Sequence, residues 1–146
     1  MGTDRDRLEA AYEATAYRVW VAADRRIAIR VGDGSEAVDA ILAAAGVDAW
    51  AFITAANPRS VRQSDAENAA RMARLVARVR ERGLGHLPGE GAGDDPDWPA
   101  EPSLFVPGLA EHDAAALARE FGQHAIVVGR RGEPARLLWV EPRDAT

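Results

Sequence analysis

Apolar and polar positions along the chain change period several times, and each change marks an element. Leu8, Ala11, Tyr12 and Thr15 recur at helical spacing over residues 5–16. From Tyr17 the period falls to two: Tyr17, Val19 and Val21 share one face, Arg18 and Trp20 the other. Ile27, Ile29 and Val31 repeat the alternation after the polar link Ala23-Asp24-Arg25, which predicts an antiparallel hairpin. Gly32-Asp33-Gly34 signals a turn, and Ser35 and Gly46 are the N-cap and C-cap of a helix ending near Ala45. Trp50-Ala51-Phe52-Ile53-Thr54 is continuously apolar up to its end, as a strand buried on both faces is. Ser64 and Glu67 fit a capping box for a helix running to about Arg82, with Met72, Leu75, Val76 and Val79 as its apolar stripe.

Residues 84–103 are rich in glycine and proline, which predicts little regular structure beyond a short strand near Leu84–Leu87. Leu104-Phe105-Val106 is a strand candidate, Asp113 to Phe121 a helix, and Ala125–Gly129 with Ala135–Val140 a closing hairpin. The order is α-ββ-α-β-α-β-β-α-ββ. Hairpins at both ends with helical crossovers between them predict one α+β domain over residues 1–146. Its sheet would be mixed, mostly antiparallel, and packed by three to four helices.

Composition narrows the chemistry. The chain has 146 residues, 18 basic against 23 acidic, and a net charge of −5. Every basic residue is arginine; lysine and cysteine are absent. Schiff-base lysines, thiol nucleophiles, disulfides and cysteine-bound zinc are therefore excluded. Of the 47% hydrophobic residues, 31 are alanine, so the larger apolar side chains suffice for one core and not two. No apolar run reaches the roughly 18 residues of a membrane span, and the polar start of the chain does not read as a signal peptide, so a cytoplasmic location is expected. His86, His112 and His124 have no metal-ligand spacing, no metal is expected on them, and no cofactor is named by the pattern.

Three segments carry polar groups of interest. Thr54-Ala55-Ala56-Asn57-Pro58-Arg59-Ser60 leaves a buried strand and approaches a helix N-terminus, a common place for ligands. Asn57 and Ser60 offer hydrogen bonds there, and Arg59 can clamp a carboxylate or phosphate; a plain structural turn is the other reading. Asn68 lies on the stripe of Met72 and Leu75, so its amide faces inward and must be paired, either as a staple for the Asn57 loop or toward a ligand. Its natural partners are that loop's backbone or the side chains of Thr54 and Gln123. Gly89 to Ser103 forms a long acidic connection with Glu90, Asp94, Asp95, Asp97 and Glu101, together with Trp98. Glu90 and Glu101 can act as general acid and base, or the carboxylates can hold a hard cation; a solvated loop is the alternative. Arg71, Arg74, Arg78 and Arg82 form a stripe beside the apolar face of the preceding helix. It could meet the acidic connection within the chain or across a homodimer, or nucleic-acid phosphates, against which the overall acidity argues.

Tyr12-x-x-Thr15-x-Tyr17-x-Val19, Phe52-Ile53-Thr54-Ala55-x-Asn57-Pro58, Asn68, Gly89-Glu90-Gly91, Trp98-Pro99-x-Glu101-Pro102-Ser103 and Phe121-Gly122-Gln123-x-Ala125-Ile126 together resemble the bacterial family filed as domain of unknown function 3293. The resemblance implies no activity. It places Thr54, Asn57, Asn68, Glu90, Glu101, Ser103 and Gln123 among recurrent polar positions, and commonly an asparagine where this chain has His124. One polar pocket built from the Asn57 loop, the Glu90–Ser103 loop and Gln123 would explain these positions together. The leading expectation is a small-ligand domain, with or without catalysis. Asn57 and Arg59 would fix an anionic small molecule, and Glu90 or Glu101 would transfer a proton. The alternative is a protein-interaction module using the acidic 89–103 loop and the Arg-rich 64–82 helix.

Overall fold

The computed structural model describes residues 4–94, 97 and 99–140. Helices α1 (Asp4–Ala14), α2 (Glu36–Ala45), α3 (Asp65–Glu81) and α4 (Glu111–Glu120) accompany seven strands. These are β1 (Ala16–Ala22), β2 (Arg25–Ile29), β3 (Ala49–Ile53), β4 (Leu87–Ala92), β5 (Glu101–Pro107), β6 (Ala125–Arg130) and β7 (Arg136–Trp139). The order matches the reading of the hydrophobic pattern, and the fold is α+β.

Helix ends are encoded locally. The Ser35 hydroxyl accepts from the Val38 amide at 3.1 Å, and Gly46 closes α2 in the left-handed region with φ 70°. At α3 the Ser64 hydroxyl accepts from the Glu67 amide, while the Glu67 carboxylate accepts from the Ser64 amide: the predicted capping box. Long-range burial of Leu75 and Val79 then holds α3 to the sheet, each side chain contributing about 1.5–3 kcal/mol.

The strands lie in the order β2-β1-β4-β5-β3-β6-β7, and every neighbouring pair is antiparallel. The helical crossovers β3-α3-β4 and β5-α4-β6 do join strands of like direction. In each case one antiparallel strand lies between the two, β5 in the first and β3 in the second. Parallel pairing, which such crossovers allow, is thus absent among the described strands. Central β3 alternates between two cores. Ala51 and Ile53 meet α3 and α4 through Leu75, Val79, Leu117 and Phe121. Trp50 and Phe52 meet α2 through Val38 and Leu42 on the other face. Helix α1 also packs on that second face: Tyr12 stands edge-on to Trp139 of β7 at 6.0 Å, and the Arg5 guanidinium lies 4.1 Å over the same indole. Among the described residues no helix is long and apolar enough to cross a membrane.

The expectation of little regular structure over residues 84–103 is corrected. Leu87–Ala92 is a strand and β5 begins at Glu101, so the connection between them shrinks to residues 93–100. Asp95 and Trp98, part of the acidic connection, lie outside the described residues. Glycine at alternate positions reads as turn chemistry, yet Gly89 sits in a ladder for a packing reason. A Cβ there would come within 2.9 Å of the Phe52 ring and 2.6 Å of the Arg18 carbonyl. Gly129 does the same for Trp50, whose indole would lie 2.6 Å from an added Cβ. Gly89→Ala is therefore expected to lower stability by about 1–3 kcal/mol through overpacking, read as a lower urea midpoint. An unchanged midpoint would mean that Phe52 does not rest on β4.

Candidate functional site

One end of the sheet collects the C-terminal ends of β3 and β4 and the N-terminal ends of β1, β5 and β6. Register decides which side chains share a face there. Tyr17 pairs with Gly91, and Gly91 with Glu101, so the three form one cross-strand row. The glycine in the middle leaves a gap between phenol and carboxylate. Together with Phe52, Thr54, Ser103 and Gln123, and roofed by Leu8 and Tyr12 of α1, that gap opens into a cleft of about 350 Å³. Asn57 and Glu101 also line a second cleft of about 270 Å³, bounded by Arg62, Asn68 and Met72, so their side chains form the partition between the two.

The polar side chains buried among the described residues are Asn57, Asn68, Ser103 and Gln123, each less than a tenth exposed and all at this end. Burial requires that they be paired, because an unsatisfied buried amide costs about 1–3 kcal/mol. Asn57 is the hub. It adopts the left-handed region (φ 45°, ψ 61°), which asparagine tolerates better than most residues. Its amide N–H donates to Asn68 Oδ1 at 2.9 Å, and its own Oδ1 accepts from Asn68 Nδ2 at 3.0 Å and from the Gln63 amide at 2.8 Å. Its Nδ2 donates to Glu101 Oε2 at 2.6 Å. Asn68 is thus the staple of the Asn57 loop, one of the two roles its inward position allowed.

The turn after Asn57 is held in a costly shape. Arg59 (φ 56°) and Ser60 (φ 60°) are left-handed, a conformation that costs roughly 1–2 kcal/mol for such residues. The surroundings fix it: the Arg59 amide donates to the Gly122 carbonyl at 2.7 Å and the Ser60 amide to the Asn57 carbonyl at 3.0 Å. Gln123 Nε2 donates to the Ala56 and Phe121 carbonyls, and the Thr54 hydroxyl donates to the Pro102 carbonyl at 2.6 Å. Arg71 contributes a clamp not anticipated from its place in an arginine stripe. Its Nε donates to the Ala55 carbonyl at 2.6 Å, its Nη2 to the Phe121 carbonyl, and the guanidinium faces the Phe121 ring. Burial, with Arg74 nearby, pushes the Arg71 guanidinium below its usual range.

Of the residues singled out from sequence, Thr54, Asn57, Ser60, Glu101, Ser103 and Gln123 line the first cleft, and Asn68 lines the second. Two are placed elsewhere. Glu90 pairs across the strands with Arg18 and Pro102, one residue out of phase with Glu101, so it projects from the opposite face. There its carboxylate accepts from Arg18 at 3.1 Å and lies 3.7 Å from Arg26. Arg59 is exposed, and among the described residues lining the first cleft there is no arginine. The arginine stripe does not meet the acidic segment through Arg78 either: Arg78 binds Glu120 of α4 at 2.7 Å and Glu81 at 3.0 Å, which raises its pKa. Among the described residues no group of three His, Asp or Glu side chains is arranged to hold a metal ion.

Tyr17, Tyr12 and Asp94 are cleft residues that chemistry-by-type overlooked. The alternation Gly89-x-Gly91-x-Gly93 was the available signal, since a side-chain-free strip on one strand face announces close approach or an opening. The Tyr17 hydroxyl donates to the Tyr12 carbonyl at 3.0 Å, and its ring meets Phe52 at 5.2 Å, nearly perpendicular. Burial pushes its phenol above the ordinary tyrosine range, with the neighbouring Tyr12 and Glu101 acting in the same direction.

The family model described as protein of unknown function (DUF3293) matches residues 53–126, half of the chain, and the chain belongs to that family. The matched segment runs from the end of β3 to the start of β6 and contains every candidate site residue named from the sequence. No curated protein and no solved structure matches the chain.

Asn68→Ala strands the Asn57 amide and should lower unfolding free energy by about 1–3 kcal/mol in denaturant titration; a change within error would mean that the staple does not carry the loop. Because the folded Tyr17 phenol ionises later than an unfolded one, its contribution to stability is complete below pH about 10 and falls away as pH rises above that. Absorbance at alkaline pH should show Tyr17 ionising only with unfolding. Ionisation of both tyrosines before unfolding would contradict the buried phenol.

Proposed function

We propose that this member of the family binds a small organic molecule in the cleft between α1 and the sheet end, with Glu101 as the group that exchanges a proton with it. The observation that carries the reading is the row Tyr17–Gly91–Glu101, in which a missing side chain opens a space between an aromatic ring and a carboxylate. Its size and its mostly apolar walls with a few convergent polar groups are those of small-molecule sites. The loop that positions Glu101 is held in unfavourable backbone geometry by the reciprocal Asn57–Asn68 amide pairing, the kind of local cost that accumulates at functional sites. Glu90 takes no part in this reading, since it is ion-paired on the other face.

An anionic ligand loses its main support once Arg59 stands outside the cleft lining. The interaction-module alternative also weakens, because Arg71 and Arg78 of α3 are engaged within the chain.

Gly91 gives the cleanest test. Its backbone is not left-handed and an added Cβ would meet Thr15 and Tyr17 only at ordinary contact distances of 3.8–3.9 Å. Gly91→Leu should therefore fold and fill the cleft. A ligand-observed NMR screen of small fragments should give hits on the wild type that disappear in Gly91→Leu at unchanged melting temperature. Hits that persist in the folded variant, or a wild type that binds nothing in the screen, would overturn the reading.

A further inference from the structure

We infer that the cleft takes a protonated organic amine, its ammonium head on Glu101 and its apolar body against Tyr17 and Phe52; this rests on the small-ligand reading above and names the chemical class. Five of the polar side chains in the cleft wall turn their hydrogen-bond donors into the protein. The Tyr17 hydroxyl donates to the Tyr12 carbonyl, the Thr54 hydroxyl to the Pro102 carbonyl and the Ser103 hydroxyl to the Glu101 carbonyl. Both Nε2 hydrogens of Gln123 go to the Ala56 and Phe121 carbonyls, and Asn57 Nδ2 donates to Glu101. These polar side chains thus direct their hydrogens into the protein and offer a ligand oxygen atoms. A carboxylate has about four acceptor sites, more than the Asn57 amide takes up, and Glu101 stands in the cleft wall.

Charge points the same way. The formally charged side chains among the described residues of the cleft wall are Asp94 and Glu101, and the C-terminal half of α1, the negative end of its dipole, forms the roof. A chain with eighteen arginines and no lysine could easily have supplied an anion clamp. Instead Arg18 and Arg26 flank Glu90 on the opposite face, and Arg71 is taken by the Ala55 and Phe121 carbonyls. The aromatic rings of Tyr17 and Phe52 in the same wall favour a cation further.

A size-matched series tests this: 2-phenylethylamine, 2-phenylethanol and phenylacetate, each titrated at neutral pH and low salt while the backbone resonances of Tyr17, Gly91 and Gln123 are followed. The amine should bind at least about tenfold more tightly than the alcohol, and phenylacetate more weakly than both. In Glu101→Gln, which keeps an oxygen for Asn57 to donate to, the advantage of the amine should fall about tenfold while the alcohol binds as before. Equal or tighter cleft binding by the alcohol or phenylacetate to the wild type would overturn the charge assignment and leave the small-ligand reading standing. A series that moves none of these resonances would also overturn it, and the Gly91→Leu fragment screen then decides separately whether the cleft binds anything. The wild-type ranking alone decides between the three ligand classes even if Glu101→Gln fails to fold.

Discussion

The reciprocal pairing of Asn57 with Asn68 is the constraint on which this end of the molecule depends. A chain leaving a central buried strand carries the peptide groups of Ala55, Ala56 and Asn57 through a buried stretch, and each must find a partner. Two side-chain amides meet that requirement at once, because each is both donor and acceptor. The pair fixes the left-handed turn at Asn57, and one amide hydrogen is left over to hold the Glu101 carboxylate. Arg71, Gln123 and Thr54 complete the pairing of the surrounding carbonyls. The polar network is thus structural in origin and positional in consequence.

Sheet register converts that positioning into an open site. Glu101 would be one more surface carboxylate if its neighbour across the ladder carried a side chain. With glycine there, the carboxylate and the Tyr17 ring face each other across empty space, and α1 covers it from above. Gly89, two residues earlier on the same strand face, is filled by Phe52, so the strip of missing side chains is closed at one position and open at the next.

Elements governed by local chemistry are legible in the sequence. The caps at Ser35, Gly46 and Ser64 are fixed by residues within one turn, and the double burial of Trp50 to Ile53 is written in an unbroken apolar run. The burial of Asn68 follows from helical spacing alone. What the sequence conceals is non-local. Strand β4 is expected near Leu84–Leu87 but runs over Leu87–Ala92, because its glycines answer to Phe52 and to a cleft, neither adjacent in sequence. With the strand ended at Leu87, the parity that sends Glu90 and Glu101 to opposite faces cannot be counted, so both look like equivalent acids of one loop. Arg71 shares a helical stripe with Arg78, but only the approach of the Ala55 and Phe121 carbonyls separates a buried clamp from a surface ion pair. The intervening strands that turn helical crossovers into antiparallel pairings likewise depend on strand order, which periodicity does not carry.

A crystal structure of the wild-type chain soaked with small aromatic amines bears most directly on whether this network holds open a binding site. The Asn57–Glu101 bond and the gap at Gly91 predict an organic molecule between Phe52 and Glu101, its nitrogen within hydrogen-bond distance of the carboxylate and the Asn57–Asn68 pair unchanged. A closed structure would contradict it: α1 settled onto the sheet, with Leu8 or Tyr12 filling the space over Gly91 and no room for a ligand.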